Sequence, residues 1–264
     1  MYIDSHCHLF YEDFRDDLPE VIRRAEEAGV KAFIVPATDH RTAAEAVRLS
    51  ERFPNLFVAV GIHPLDLQHY SDENLRTVES FIGHPKVVAV GEIGIDYFYD
   101  RSPRDLQQEA FARQLELAAA HDLPVIVHTR DSVEDAVCIA TDAARRRPEW
   151  RTGGWRGVFH CFTGDAAAAE TLFAHRFMVS FPGPVTFKTS SMPEVLKRIG
   201  LEHIMVETDA PFLTPVPFRG TRNEPMHIPL IARKIAEVLG VEPAEVERRT
   251  TANAVALFRL PIPL

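Results

Sequence analysis

The sequence predicts one (β/α)8 barrel, with residues 1–264 as a single α/β domain. Three observations lead there. Extended and helical patterns alternate from end to end, giving about eight strands with helices between them. The extended stretches are near-continuous apolar runs, as expected of parallel strands covered on both faces. The 264-residue length suits a barrel of this kind, which typically uses about 250 residues. A doubly wound open sheet is the alternative, but no Gly-x-Gly-x-x-Gly turn follows the first strand and there is no P-loop.

Met1-Tyr2-Ile3 opens an extended segment leading into Asp4-Ser5-His6-Cys7-His8. In residues 16–28, Leu18, Val21, Ile22 and Ala25 share a helical face, and Gly29 follows as a C-cap. Residues 31–36 are a short apolar strand, 41–53 a helix, and 56–61 a strand running into Ile62-His63-Pro64. Ser71 suits the N-cap of a helix ending near residue 82. Val87–Gly91 is a strand ending in Glu92, and 103–121 is the longest helix, with Pro103 in its first turn. Pro124–Val127 ends in His128, 132–146 is helical, and Arg156–Phe159 ends in His160. A helix over 165–175, a strand over 177–181 and a short helix over 191–199 follow. His203–Val206 then ends in Glu207-Thr208-Asp209. Helices over 227–240 and 243–258 close the chain, the second expected to break near Thr250-Thr251. The basic, glycine-containing stretch from Arg145 to Trp155 reads as a structural loop at the N-terminal end of the barrel.

Composition narrows the function. The chain is 46% hydrophobic and 25% charged with a formal net charge of −9, so it is not built to coat long nucleic acid by non-specific charge. A short anionic end could still be held at a metal centre, where the ions are the largest local charges. Cys7, Cys138 and Cys161 form no Cys-x-x-Cys pair, and so sparse and odd a set fits a reducing cytoplasm. No signal peptide or membrane span is expected, and a monomer is the default.

The chemistry sits where the strands end. His6 and His8, two apart, aim two imidazoles at one point if the segment is extended. His63, Glu92, His128, His160, Glu207 and Asp209 each follow another apolar run. In a barrel all of these fall on the C-terminal rim, where active sites of the fold are found. Each has a bland reading alone: a turn before Pro64 for His63, a surface position for His128, a cap for Asp209. Turn chemistry does not explain their joint recurrence. Four His, one Glu and one Asp are too many for one catalytic ion, which usually takes three protein ligands and water. They suit two ions roughly 4 Å apart bridged by Glu92, with His6, His8 and Asp209 on one and His128 and His160 on the other. Mixed nitrogen and oxygen ligation admits Zn, Mn, Co, Fe or Mg.

Asp4–His8, Gly61-Ile-His-Pro64, Gly91–Tyr97, Val127-His-Thr-Arg130, His160–Gly164 and Glu207–Pro215, followed by Arg219-Gly and Arg222-Asn-Glu-Pro225, together resemble the TatD family of metal-dependent hydrolases. These motifs cover residues 4 to 225 in order. The resemblance implies a TIM barrel, two divalent ions (Mg, Mn or Zn) and phosphodiester hydrolysis on DNA, including 3′-to-5′ digestion of single-stranded ends. The positions that match family ligands are His6, His8, Glu92, His128, His160 and Asp209, with Glu92 and Asp209 carrying catalysis. Leu65, Phe218 and Thr221 depart from the family, whose members often carry His, His and Lys there.

Around the ligands, His63, Arg130 and Arg222 are candidates for binding substrate phosphate, and Tyr97 with Phe98 for stacking a terminal base. The competing reading of Arg222 is an ion pair with Glu224 or Asp66, and that of Tyr97 and Phe98 is loop packing. Glu207 shares a strand face with Asp209 and is a candidate to fix the tautomer of a ligating His. Two other functions compete with DNA cleavage. A metal-dependent esterase or amidase, including a D-aminoacyl-tRNA deacylase, needs the same ions; no Lys stands at the end of the fourth or fifth strand to serve as a carbamylated bridge. A closed structural metal site is the non-catalytic reading, and an open rim argues against it.

Overall fold

The computed structural model describes residues 1–99 and 101–263, so the last residue of the expected domain lies outside the described residues. The strands are β1 (Tyr2–Asp4), β2 (Val30–Pro36), β3 (Leu56–Val60), β4 (Val87–Asp96), β5 (Val125–Arg130), β6 (Gly157–Phe159), β7 (Phe177–Phe181) and β8 (Ile204–Val206). The helices are α1 (Leu18–Glu27), α2 (His40–Arg52), α3 (Asp72–Ser80), α4 (Arg104–Ala120), α5 (Val133–Arg146), α6 (Ala166–Ala174), α7 (Met192–Ile199), α8 (Ile228–Leu239) and α9 (Pro243–Phe258). Each strand pairs in parallel with the next, in the order β1 to β8. β8 closes back on β1 through Ser5 N–H to Val206 O at 3.2 Å and a parallel bridge between Cys7 and Ala210. That strand order is a barrel and rules out the doubly wound sheet.

The apolar strands serve two cores at once. Phe33, Val35, Val58, Val60, Val125, Val127 and Val179 point outward and pack with the helices. Their neighbours Ala32, Ile34, Phe57, Ala59, Ile126, Val158, Met178 and Met205 fill the inside, where Ala254, Leu257 and Phe258 of α9 pack on them. The alternation is the period of two of a strand, made invisible in the sequence because both faces are buried. α9 runs unbroken through Thr250 and Thr251, contrary to expectation. Thr250 turns its hydroxyl onto Val246 O, four residues back, and Thr251 gives its own to Met1 O, so neither interrupts the backbone ladder.

Two buried glutamines of α4 hold the upper ends of the strands. Gln114 accepts Ile62 N–H at 2.7 Å and donates to Ile62 O at 3.0 Å, fixing the exit from β3. Gln107 accepts Asp96 N–H at 2.8 Å, fixing the end of β4. β4 itself runs past Glu92 to Asp96, and β5 past His128 to Arg130, so both residues lie within strands and not at their ends. Gly94 makes that extension possible: at φ +143 its missing Cβ would lie 2.0 Å from His128 O. At the N-terminal end, Trp150 donates to Leu123 O and buried Arg151 to Trp155 O and Leu257 O, so the stretch before β6 is a packed plug. Among the described residues no helix is long and apolar enough to cross a membrane.

Candidate metal centre

The inner face of each strand continues upward into the site. Two residues beyond Ile126 and Val158 come His128 and His160, and two beyond Met205 comes Glu207. His6 and His8 lie past the end of β1, on a segment held by Asp4. The buried Asp4 carboxylate accepts Thr208 N–H at 2.9 Å, the Thr208 hydroxyl, and His6 N–H at 3.3 Å. Asp209 N–H in turn donates to His6 O at 2.9 Å, with Asp209 in the left-handed region at φ 55. The exits of the first and last strands are thereby locked together. Cys7 turns away toward Ile34 O.

Glu92 stands at the middle, 3% exposed, with its two oxygens facing different partners. Oε2 lies 3.3 Å from His6 Nε2 and 3.6 Å from His8 Nε2. Those two nitrogens are 3.2 Å apart, and lie 3.6 and 3.5 Å from Asp209 Oδ1. Oε1 lies 2.7 Å from His160 Nε2, 3.0 Å from His128 Nδ1 and 3.4 Å from His63 Nε2. Ligands about 2.1 Å from a tetrahedral ion sit roughly 3.4 Å from one another. The first group matches that spacing at every distance given; the second is slightly contracted.

The protons show what is missing between these atoms. His8 Nδ1 is 3.2 Å from Pro36 O, which can only accept, so the proton is there and the Nε2 lone pair faces the carboxylates. His128 donates Nε2–H to Asp96 Oδ2 at 3.0 Å, which leaves Nδ1 facing Glu92 Oε1. Acceptors therefore point at acceptors, and among the described residues no Lys or Arg pairs with Glu92, Asp96, Glu207 or Asp209. A cation on each side of Glu92 resolves the conflict, so the donor set fits divalent metal. Without one, protons take its part. Burial pushes the Glu92 carboxyl up, but His160, His63 and His6 outweigh it and hold the group well below the carboxylate range. Burial opposes charge on His160, yet Glu92 and Glu207 raise it well above the ordinary imidazole value. His128 is raised too, by Asp96 and Glu92 against burial, whereas burial lowers His6 and His63.

The structure brings together His6, His8, Glu92, His128, His160 and Asp209, and adds His63. His63 was expected to face a substrate phosphate. Instead its Nδ1 accepts Leu65 N–H at 3.1 Å, so Nε2 carries the proton and points at Glu92. Leu65 contributes only this amide. Glu207 accepts Cys161 N–H at 2.6 Å and the Ser180 hydroxyl, and lies 3.5 Å from His160 Nδ1, a distance at the limit of a hydrogen bond.

Two residues expected to contact substrate are engaged within the protein, Arg222 in the competing ion pair with Glu224. Arg222 is committed to Asp17 (2.7 and 2.8 Å) and Glu224 (2.8 Å), a cluster completed by Arg24, because the loop after β8 must be pinned to α1. Tyr97 gives its hydroxyl to Asp135 at 2.7 Å beneath the Arg104 guanidinium, in a cleft also lined by Asp131 and Glu134 whose charge repels phosphate. Arg130 lies at the rim against Phe98 and Tyr99. Phe218 stacks on His227, and Thr221 turns its hydroxyl back onto Phe218 O. Sequence reasoning missed Asp4 and Asp96. The available signal for Asp96 was its period-two spacing, four residues beyond Glu92 on one strand.

The sequence model of the family described as TatD related DNase matches residues 3–259. YabD of Bacillus subtilis, named an uncharacterized metal-dependent hydrolase, is 41% identical over 98% of this chain and 100% of that protein. TatD of Mycobacterium tuberculosis, with the same description, is 34% identical over 98% of each. The crystal structure of YjjV, a TatD homologue from Escherichia coli, superposes with a TM-score of 0.91 at 31% identity, covering 98% of both chains. The chain therefore belongs to the TatD family of metal-dependent hydrolases.

Proposed function

We propose that the chain is a two-ion phosphodiesterase that removes nucleotides from single-stranded DNA ends in the 3′-to-5′ direction. The observation that carries the reading is the division of Glu92: one oxygen serves His6, His8 and Asp209, the other His128 and His160. His6, His8 and Asp209 would hold one ion, and His128 and His160 the other. When bound, a pair of Mg, Mn or Zn ions supplies Lewis-acid charge that activates water and neutralises phosphate oxygens.

The protein does the rest by orientation. Asp96 holds His128 in one tautomer and Pro36 O holds His8, while the Glu207 carboxylate lies 3.5 Å from His160 Nδ1. Asp209 is the ligand-group carboxylate most open to solvent, with its side chain 15% exposed against 4% for Glu92. We assign it uptake of the proton released as water attacks phosphorus; the P–O3′ bond breaks, and the shortened strand leaves as its 3′-alcohol after its oxygen takes up a proton from Asp209 or solvent. Product analysis of end-labelled single- and double-stranded DNA across a panel of divalent ions tests the reading, with ester and aminoacyl substrates as comparators. Stepwise release of mononucleotides from the 3′ end is expected, and its loss in Glu92→Ala. Turnover of only the ester or aminoacyl substrates would move the assignment to amidohydrolase-type chemistry.

A further inference from the structure

Among the described residues the exposed large hydrophobic side chains are Phe98, Tyr99, Phe212, Val216 and Phe218. All five stand on two loops. Phe98 and Tyr99 follow β4, and the other three follow β8. In a ring of eight strands taken in order, the fourth and eighth lie opposite each other. Both loops leave the C-terminal rim, so the exposed aromatic side chains of the described residues stand as two walls on opposite sides of the metal centre.

Each wall is tied to one side of that centre. On the first, Phe98 and Tyr99 donate their amide N–H groups to Asp96 Oδ1 at 3.0 and 3.1 Å, while Asp96 Oδ2 takes His128. The Arg130 guanidinium lies 3.9 Å from the Phe98 ring centre and 4.7 Å from that of Tyr99. On the second, Phe212 donates its N–H to Asp209 O at 2.9 Å. Its ring meets Tyr11 at 5.9 Å, and Tyr11 stacks on His8 with ring centres 4.9 Å apart and planes 9° apart.

Building on the phosphodiesterase reading, we propose that the two walls are base-stacking subsites for the nucleotides on either side of the cleaved phosphate. The ring faces of Phe98 and Phe212 each receive one base, and Arg130 neutralises the phosphate beside the first. The occupant is single-stranded nucleic acid. A ring can stack only on a base released from its neighbours, which a duplex interior does not offer. The cation laid on an aromatic face complements a base carrying a phosphate, and is out of place in a surface for an apolar partner. Stacking is indifferent to base identity, which suits an enzyme that must pass along any sequence.

The test uses the full-length manganese-loaded protein and 5′-fluorescein single strands. One strand is intact, one lacks the base of its 3′-terminal nucleotide, and one lacks the base of the penultimate nucleotide. Wild type is expected to lose roughly 5- to 150-fold in kcat/KM on each abasic strand, mostly in KM. The Phe98→Ala/Tyr99→Ala variant should lose a similar factor on the intact strand, and nothing more on one of the two abasic strands. Phe212→Ala should show the same insensitivity toward the other abasic strand. Phe98→Trp should restore activity where Phe98→Leu does not, and circular dichroism should show all variants folded. Equal wild-type cleavage of intact and abasic strands overturns the stacking proposal alone, as does equal loss by the variants on every strand. A wild-type protein inert toward all three strands overturns the phosphodiesterase reading and this inference with it.

Discussion

Replacing Asp96 with Asn changes no volume and removes one acceptor. In the native protein Oδ1 accepts Phe98 N–H and Tyr99 N–H at 3.0 and 3.1 Å, and Oδ2 accepts His128 Nε2–H at 3.0 Å. An amide has one oxygen to offer. Keeping both loop bonds, worth about 0.5–1.5 kcal/mol each, sets the amide NH2 against His128. The His128 proton must then move to Nδ1, the atom 3.0 Å from Glu92 Oε1 that a metal ion would use. The reverse orientation strands two backbone donors at about 1–3 kcal/mol each where they are buried, so it is the poorer solution. Partners of this kind are worth roughly 10- to 100-fold in metal affinity. Calorimetric titration of Mn2+ into chelator-stripped protein should show two binding events in the wild type. In Asp96→Asn the event on the His128–His160 side should weaken by that factor while the other keeps its affinity. Superimposable isotherms would refute the argument.

Four further outcomes follow from the structure. Because Glu92 raises His160, and Asp96 with Glu92 raises His128, the ion held by these two displaces protons, so Mn2+ affinity on that side should rise with pH and titrations in buffers of different ionisation enthalpy should report proton release. In the metal-free protein the His160–Glu92 pair stabilises fully between the ordinary values of 4.5 and 6.5. Its contribution fades as pH falls through the depressed Glu92 value or rises through the elevated His160 value. Gly94→Ala drives a Cβ to 2.0 Å from His128 O and should cost roughly 3 kcal/mol, or 6–12 °C in Tm by differential scanning calorimetry, with metal affinity lowered. Arg222→Ala opens a half-exposed cluster and should cost about 1 kcal/mol. Asp17, lowered to about 2 chiefly by its hydrogen bonds to Arg222, stabilises above its ordinary 3.8 and loses this as pH falls through 2, so the variant should show a shallower acid slope in that range.

The barrel was legible because its strands are buried on both faces and its helices carry caps and apolar stripes. The six candidate ligand positions were legible because each closely follows an apolar run, and in a barrel those runs all end at one rim. What escaped has specific causes. Glu92 and His128 read as strand ends because a polar residue after an apolar run looks like a terminus, yet Gly94 lets β4 and β5 continue side by side. Asp4 and Asp96 act through residues that the sequence does not bring near them: Thr208 lies 204 positions from Asp4, and His128 is reached only across two strands. Arg222 and Tyr97 were drawn toward substrate because a cation or a ring near a mouth suggests binding. Their partners Asp17 and Asp135 sit on other elements, and only the packing of those elements shows that both side chains are already engaged.

The division of Glu92 between two ligand groups is tested most directly by the anomalous difference map of a crystal soaked in Mn2+. Two peaks roughly 4 Å apart are predicted, one beside His6, His8 and Asp209, the other beside His128 and His160, with a Glu92 oxygen directed at each. A single peak, or peaks away from Glu92, would contradict the account.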